Sequence, residues 1–122
     1  MSDEFLKVAR KEIESEIESL KDIFSSCTND EELYKKSTDI EKHMHKIKGL
    51  APMMGQDGMG EIARISDMIL KHIPSHGVLN NSYKIIFEAI SNMSDILGGR
   101  SKIDVNNFRK KVQDTFPEIL GI

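Results

Sequence analysis

A histidine, a lysine and a glycine lie close together near the middle of the chain, at His45, Lys48 and Gly49. On a helix these three share one face, because residues three and four positions apart are neighbours there. A neutral imidazole has one nitrogen free to act as a nucleophile, and its ordinary pKa of about 6.5 keeps that form available near neutral pH. Lys48 can offer an ammonium to the oxygens of an anionic group, and Gly49 leaves space beside the ring for a partner.

The chain has helical periodicity, and no segment alternates apolar and polar residues as a half-buried strand does. The second predicted helix begins near residues 28–31 and has the most regular apolar stripe, at Leu33, Ser37, Ile40, Met44, Ile47, Ala51 and Met54. Steps of three and four residues predict a helix face that is buried against neighbours. Because His45 comes one residue after Met44, it is turned about 100° from that face and is predicted on the flank of the helix.

Four further helices are predicted from the same periodicity and from their end signals. The first covers about residues 2–24, and the third covers about residues 58–73 and stops at Pro74. The fourth is capped by residues 80–82 and ends at Gly98 and Gly99, and the fifth covers about residues 104–116. These elements predict an all-α fold. The expected arrangement is an antiparallel up-down four-helix bundle with an additional C-terminal helix, in one domain over residues 1–122.

Pro52 lies inside the second predicted helix, one turn beyond Lys48. A proline ring there meets the carbonyl group of Lys48, which loses its helical hydrogen bond. The sequence therefore predicts a kink or a tightened turn just after the candidate site.

The bulk composition excludes several classes of function. The 122 residues are 39% hydrophobic and 30% charged, as in an ordinary soluble domain, and the net charge of −3 gives no general attraction to nucleic acid. No apolar run approaches the roughly 20 residues of a membrane-spanning helix, and the first residues have no signal-peptide pattern. A single cysteine, Cys27, suits a reducing compartment. We therefore expect a cytoplasmic protein that binds neither nucleic acid nor membrane.

Motifs for nucleotide and metal binding are also missing from the sequence. Without a glycine-rich phosphate loop, no ATP-binding site is expected. His43 and His45 lie about 200° apart around a helix, so they cannot chelate one ion together. The Glu-x-x-His pairs of di-iron bundles do not occur either. The expectation is a domain without a metal or a cofactor of its own.

The segment from His45 to Gly55, HKIKGLAPMMG, resembles the signature of the histidine phosphotransfer (HPt) domain family. That signature is H-x-x-K-G, followed by small or apolar residues and a second glycine. Met59 falls where the family usually has leucine, and Lys42 falls where a basic residue is common. The family also has its phosphorylated histidine on the second helix of such a bundle. Because of its fifth helix, the chain is most similar to the N-terminal phosphotransfer domain of chemotaxis histidine kinases.

The resemblance implies a role for each candidate site residue. His45 would accept and donate a phosphoryl group, Lys48 would bind the phosphoryl oxygens, and Gly49 would give access to a partner. In the chemotaxis-kinase branch an acidic residue of the third helix orients the imidazole; the matching position is Asp67, with Arg64 facing the same site one turn earlier. The family usually has glutamate there, so the sequence leaves open whether the shorter Asp67 reaches His45.

The resemblance also implies partners for a two-component phosphorelay. These are the aspartate of a response-regulator receiver domain, which would bring its own Mg²⁺, and the catalytic domain of a histidine kinase. Leu50 and Met53 would help to dock the receiver, and the chain would be a phosphoryl carrier, not a stand-alone catalyst. Two alternatives stay open. In the first, the chain is the phosphoacceptor domain excised from a chemotaxis histidine kinase; in the second, it is a non-catalytic helical adaptor in which His45 is incidental.

Overall fold

All regular structure in the computed structural model is helical across the residues it describes, which are 2–99 and 103–120. The elements are α1 (Asp3–Phe24), α2 (Asp30–Leu50), a 3-10 turn (Pro52–Met54), α3 (Asp57–His76), α4 (Ser82–Gly98), α5 (Val105–Thr115) and α6 (Pro117–Leu120). The prediction of an all-α fold is confirmed for these residues. None of these helices combines the length and the apolarity needed to cross a lipid bilayer.

Side-chain caps fix where the first two helices begin. Ser2 accepts a hydrogen bond from the backbone N–H of Phe5, and Asn29 accepts one from Glu32. Each cap satisfies one of the N–H groups that a helix start leaves without a partner. The predicted stripe of α2 is buried from Leu33 through Ala51, and Met54 at its end is half-buried. The start of α2 and the face that it buries were therefore both predictable.

The start of α4 is capped by a residue of another helix. Asn81 has a left-handed backbone, with φ of 74°, and its side chain makes no cap. Asp30, in the first turn of α2, accepts hydrogen bonds from the backbone N–H groups of Asn81 at 2.9 Å and Tyr83 at 2.8 Å. The predicted cap by residues 80–82 is replaced by this long-range one, which local patterns do not reveal.

The prediction that the third helix stops at Pro74 is wrong, because α3 continues to His76. A proline inside a helix affects one hydrogen bond and one carbonyl group in the preceding turn. The helix nevertheless continues through Pro74, so this local cost does not end it. The stop comes instead from Gly77, which has φ of 86° and donates its N–H to the carbonyl of Ile73.

The C-terminal part differs from the prediction in the bounds of the fifth helix and in one additional short helix. The fifth predicted helix, 104–116, is α5 over Val105–Thr115, with Asp104 as the cap that accepts from the Asn107 N–H. The short helix α6 follows it and was not predicted. Gly99 ends α4 in a left-handed conformation, as its position after the last apolar residues indicated.

One hydrophobic core collects buried residues from α1 through α5. The most extensive contact is between α2 and α3; α1 packs against α2 and α4, and α4 also packs against α3. His45 and Asp67 thus lie on the two helices that share the largest contact.

Pro52 sets the close approach of α3 to the end of α2. The predicted tightened turn is confirmed, because α2 ends at Leu50 and a 3-10 turn follows over Pro52–Met54. Gly60 of α3 lies against the proline ring: a Cβ at Gly60 would come within 2.9 Å of the Pro52 Cγ. Only glycine leaves space for this contact, which brings the next turns of α3 alongside His45.

Candidate functional site

His45 lies on the flank of α2 and opens to solvent. Its neighbours Met44 and Ile47 are fully buried in the seam, whereas 56% of the His45 side chain is exposed. A rigid, packed helix therefore presents the imidazole at the surface, where a partner can reach it.

Asp67 of α3 reaches the imidazole in spite of its short side chain. Its Oδ2 lies 3.4 Å from His45 Nδ1, a long hydrogen bond. The carboxylate is almost completely buried between the two helices, with 2% of its side chain exposed. Its Oδ1 is buried as well and has no hydrogen-bond partner among the described residues.

Two lysines share the same carboxylate oxygen with the imidazole. Lys48 Nζ lies 3.0 Å from Asp67 Oδ2, and Lys71 Nζ lies 3.1 Å from it. Glu41, one turn before His45 on α2, adds a second carboxylate whose Oε2 lies 3.7 Å from His45 Nδ1. Two carboxylates and two ammonium groups thus surround the ring, and their charges balance.

The buried carboxylate remains ionised over the whole physiological range. Burial by itself raises the pKa of Asp67, but a hydrogen bond from Glu41 when that carboxyl group is protonated, and hydrogen bonds from Lys48, Lys71 and His45, outweigh burial and lower this pKa to about 2. The pKa of Glu41 moves the other way. It is raised by the hydrogen bond of its protonated form to Asp67, by burial and by the Asp67 charge.

An ionised Asp67 fixes which imidazole nitrogen can react. A carboxylate only accepts hydrogen bonds, so in the neutral ring the proton belongs on Nδ1, the nitrogen that faces Asp67. The contacts of the ring with Glu41 and Asp67 are both made by Nδ1. The lone pair is therefore on Nε2, and this nitrogen is the nucleophile of the site.

The surface beside His45 is open and partly apolar. A Cβ added at Gly49 would have no neighbour within 4 Å, so this glycine is not required by packing inside the protein. Leu50 is half-buried, and 46% of Met53 is exposed. Gly49, four residues after His45, therefore leaves an open position one turn beyond the ring.

Arg64 has contacts outside this cluster. Its guanidinium donates to the carboxylate of Glu61, one turn earlier on α3, and Nη1 lies 3.3 Å from the sulfur of Met68. Arg109 of α5 binds the same Glu61 at 3.0 Å. Arg64 does line a shallow depression together with Lys48, but its charge is paired with Glu61 and not with Asp67.

Sequence reasoning missed Glu41 and Lys71. The signal was present, because Glu41 is four residues before His45 and Lys71 is four residues after Asp67. Side chains four residues apart meet on a helix, so each belongs to the surroundings of a residue already selected. Neither residue type stands out in a sequence with so many charged helical positions.

The charges of this cluster do not favour a metal ion. Glu41, His45 and Asp67 have possible ligand atoms within 4.8 Å of one another. However, the ammonium groups of Lys48 and Lys71 already bind the Asp67 oxygen and supply the positive charge that a cation would bring. The geometry suits the binding of an anion next to the ring better than the binding of a cation.

No family model matches the sequence, and no curated protein or solved structure is significantly similar to it. What the cluster can do chemically is therefore inferred from its own side chains. It has an exposed imidazole with a defined nucleophilic nitrogen, a buried carboxylate behind that ring, and two flexible cations within reach of an incoming group. This is a set of groups suited to covalent transfer of an anionic group.

Proposed function

We propose that the protein is a histidine phosphotransfer domain in which His45 accepts a phosphoryl group from a receiver-domain aspartate and donates it again. The observation that carries the proposal is the contact between Asp67 Oδ2 and His45 Nδ1, at 3.4 Å, on a ring that is 56% exposed. It leaves Nε2 as a nucleophile at the surface. The cations that a phosphoryl group needs are bound to the same carboxylate.

The transfer step is a displacement at phosphorus. The Nε2 lone pair attacks the aspartyl phosphate, the N–P bond forms as the O–P bond breaks, and the donor carboxylate leaves with the electron pair of that bond. The ring retains its Nδ1 proton, so positive charge develops on the imidazole. Asp67, ionised and next to Nδ1, stabilises this charge, and the same geometry serves the return step.

Lys48 and Lys71 are suited to following the phosphoryl group. Their side chains are 34% and 52% exposed, and each ends within 3.1 Å of Asp67 Oδ2. A lysine has a long flexible stem, so its ammonium can turn from the carboxylate to a phosphoryl oxygen nearby. Phosphoryl transfer depends mainly on positioning and on charge stabilisation, and these two cations provide the second.

The proposal includes the helix arrangement and the partners. We propose an antiparallel up-down bundle of α1–α4 to which α5 and α6 are added; the packing of α1 and α3 each against both α2 and α4 supports it. Gly49, Leu50 and Met53 would contact the receiver, which holds the Mg²⁺, in a cytoplasmic relay fed by a histidine kinase. The chain itself is a carrier and not a stand-alone enzyme.

The test is phosphoryl transfer from a phosphorylated receiver domain to the native chain and to His45→Gln. We expect an acid-labile, base-stable label on the native chain and none on His45→Gln. His76→Gln is the matched control, because it removes an exposed histidine at the end of α3. It should be labelled as the native chain is.

Two outcomes would contradict the proposal. Equal labelling of His45→Gln would place the acceptor elsewhere. No labelling by several receivers and kinases, with a folded His45→Gln that keeps its partner interactions, would favour a helical adaptor with no phosphoryl chemistry. Helical circular dichroism and the melting temperature show whether each variant is folded.

A further inference from the structure

A second histidine on α2 has surroundings like those of His45, on the opposite flank of the helix. His43 Nδ1 lies 2.5 Å from Oε1 of Glu16, a residue of α1 that is only 5% exposed. Lys46, three residues after His43, has its Nζ 3.6 Å from the other oxygen of Glu16. A buried carboxylate, a ring bound through Nδ1 and a lysine three residues later thus occur twice.

The electrostatics of Glu16 give His43 the same free nitrogen. Burial alone raises the pKa of Glu16, but the hydrogen bonds from His43 and Glu12 and the charge of Lys46 outweigh it, and this pKa is lowered. The ionised carboxylate only accepts, so in the neutral ring the proton belongs on Nδ1 and the lone pair on Nε2.

A phosphoryl donor can reach His43 from the surface. The ring is 27% exposed, and it lines a shallow depression of about 460 Å³ together with His45. The other side chains of this depression are two carboxylates and three lysines, namely Asp39, Glu41, Lys42, Lys46 and Lys71. Lys46 and Lys71 are paired with Glu16 and Asp67, but Lys42 has no ion pair among the described residues and can attract an anion to this depression. The lower exposure of His43 favours a small donor over the flat surface of a protein.

We propose that His43 is a second phosphoryl acceptor of this chain, positioned by Glu16 and flanked by Lys46, and that its donor is a small acyl phosphate. The Nε2 lone pair attacks phosphorus, and an N–P bond forms as the O–P bond to the acyl oxygen breaks. The carboxylate of the donor leaves with the electron pair of that bond. The Nδ1 proton remains between the ring and Glu16, and no other reactant is needed.

The inference rests on the same phosphoryl chemistry as the proposed function but does not require a receiver. The experiment incubates the native chain with acetyl phosphate and maps the label under conditions that preserve the N–P bond. We expect label on both His43 and His45, with little on His72 or His76. In His45→Gln the label on His43 remains, and adding His43→Gln removes it.

A pair of carboxylate variants separates positioning from structure. Glu16→Gln should lower the rate of labelling about 100-fold at His43 and leave the rate at His45 unchanged, since the imidazole loses the charge that stabilises it. Asp67→Asn should lower the rate at His45 by the same factor and leave the rate at His43 unchanged. If Glu16 served only to hold α1 against α2, Glu16→Gln would have a changed melting temperature but no selective change in the rate at His43.

The outcomes distinguish this inference from the proposed function. Label on His45 alone in the native chain overturns the inference and leaves the proposed function intact. Label on His43 alone supports the inference and contradicts the role of His45. Label on His43 that forms no faster than on the exposed His76 overturns the inference, because it reflects the reactivity of any surface histidine. The positions labelled in the native chain distinguish these outcomes even if a variant does not fold.

Discussion

The two flanks of α2 hold their histidines in different ways. On the α3 side, Asp67 is shared between two lysines and His45, its distance to the ring is 3.4 Å, and the ring is 56% exposed. On the α1 side, the contact between Glu16 and His43 is 2.5 Å long and the ring is 27% exposed. A carboxylate that is shared among several partners holds its histidine at a longer distance and leaves it more exposed, whereas one with fewer partners binds its histidine closely. The first arrangement suits docking by a protein, and the second suits a small reactant.

The largest expected difference between the two flanks is in how the buried carboxylates Asp67 and Glu16 affect stability as the pH falls. The pKa of Asp67 is lowered from 3.8 to about 2, so its ionised form stabilises the folded state above pH 3.8, and this contribution is lost as the pH falls towards 2. Asp67→Asn should therefore lower the free energy of unfolding by about 2 kcal/mol at pH 7 and by much less near pH 2. It should also slow transfer at His45 by roughly 100-fold.

Urea unfolding of Asp67→Asn and Glu16→Gln at several pH values measures this difference. Glu16 has fewer cationic partners, so Glu16→Gln should lose less stability at pH 7 than Asp67→Asn. Equal losses for the two variants, or a loss for Asp67→Asn that does not depend on pH, would contradict the assigned role of the shared carboxylate.

The next effect comes from the contact that brings α3 to α2. In Gly60→Ala the new Cβ would lie 2.9 Å from Pro52 Cγ, and the ring of a proline cannot turn away. We expect a loss of about 1–3 kcal/mol in the free energy of unfolding, because overpacking a closed contact forces the helices apart. Thermal or urea unfolding measures it. In the double variant with Pro52→Ala most of the loss should disappear; a loss of the same size would mean that the contact is not its cause.

Substitution of Gly49 should change the free energy of unfolding by a smaller amount and in the opposite direction. A Cβ at this position meets nothing within 4 Å, so Gly49→Ala should stabilise the protein by about 1 kcal/mol through helix propensity alone. Transfer from a receiver should nevertheless become slower, since the methyl group occupies the approach to His45. Labelling by acetyl phosphate is the control and should stay unchanged. Unchanged transfer from the receiver would show that this surface is not the docking site.

The smallest effect is expected at Glu41. Its pKa is raised, so its contribution to stability is largest at low pH, where it is protonated, and is lost as the pH rises through the folded-state pKa. Glu41→Gln resembles the protonated form and should be more stable than the native chain at pH 7, by about 0.5–1 kcal/mol. The gain should vanish once the pH falls below the ordinary glutamate pKa of about 4.3, because the native carboxyl group is then protonated as well. A loss of stability at pH 7 would mean that Glu41 serves mainly as a partner of Lys71.

The sequence predicted the parts of this fold that depend on local patterns. The stripe of α2 follows from residue spacing alone, and so does the position of His45 one residue outside it. The tightened turn at Pro52 follows from the chemistry of the proline ring. The end of the third helix was misplaced, because α3 accommodates Pro74 and ends only at Gly77.

Contacts between helices could not be predicted from the sequence. Whether Asp67 reaches His45 depends on the distance between α2 and α3, which the contact of Gly60 with Pro52 helps to set. The pairing of Arg64 with Glu61, and the pairing of Glu16 with His43, likewise depend on which faces of the helices meet. Spacing along one helix identifies candidate residues, and packing decides their partners.

The cap that Asp30 provides for α4 links two distant parts of the chain. The backbone N–H groups of Asn81 and Tyr83 depend on a carboxylate that lies about 50 positions earlier, in the first turn of α2. When that turn frays, these two amides lose their acceptor and become open to exchange with solvent deuterium. Hydrogen exchange at Tyr83 should therefore report on the start of the helix that carries His45.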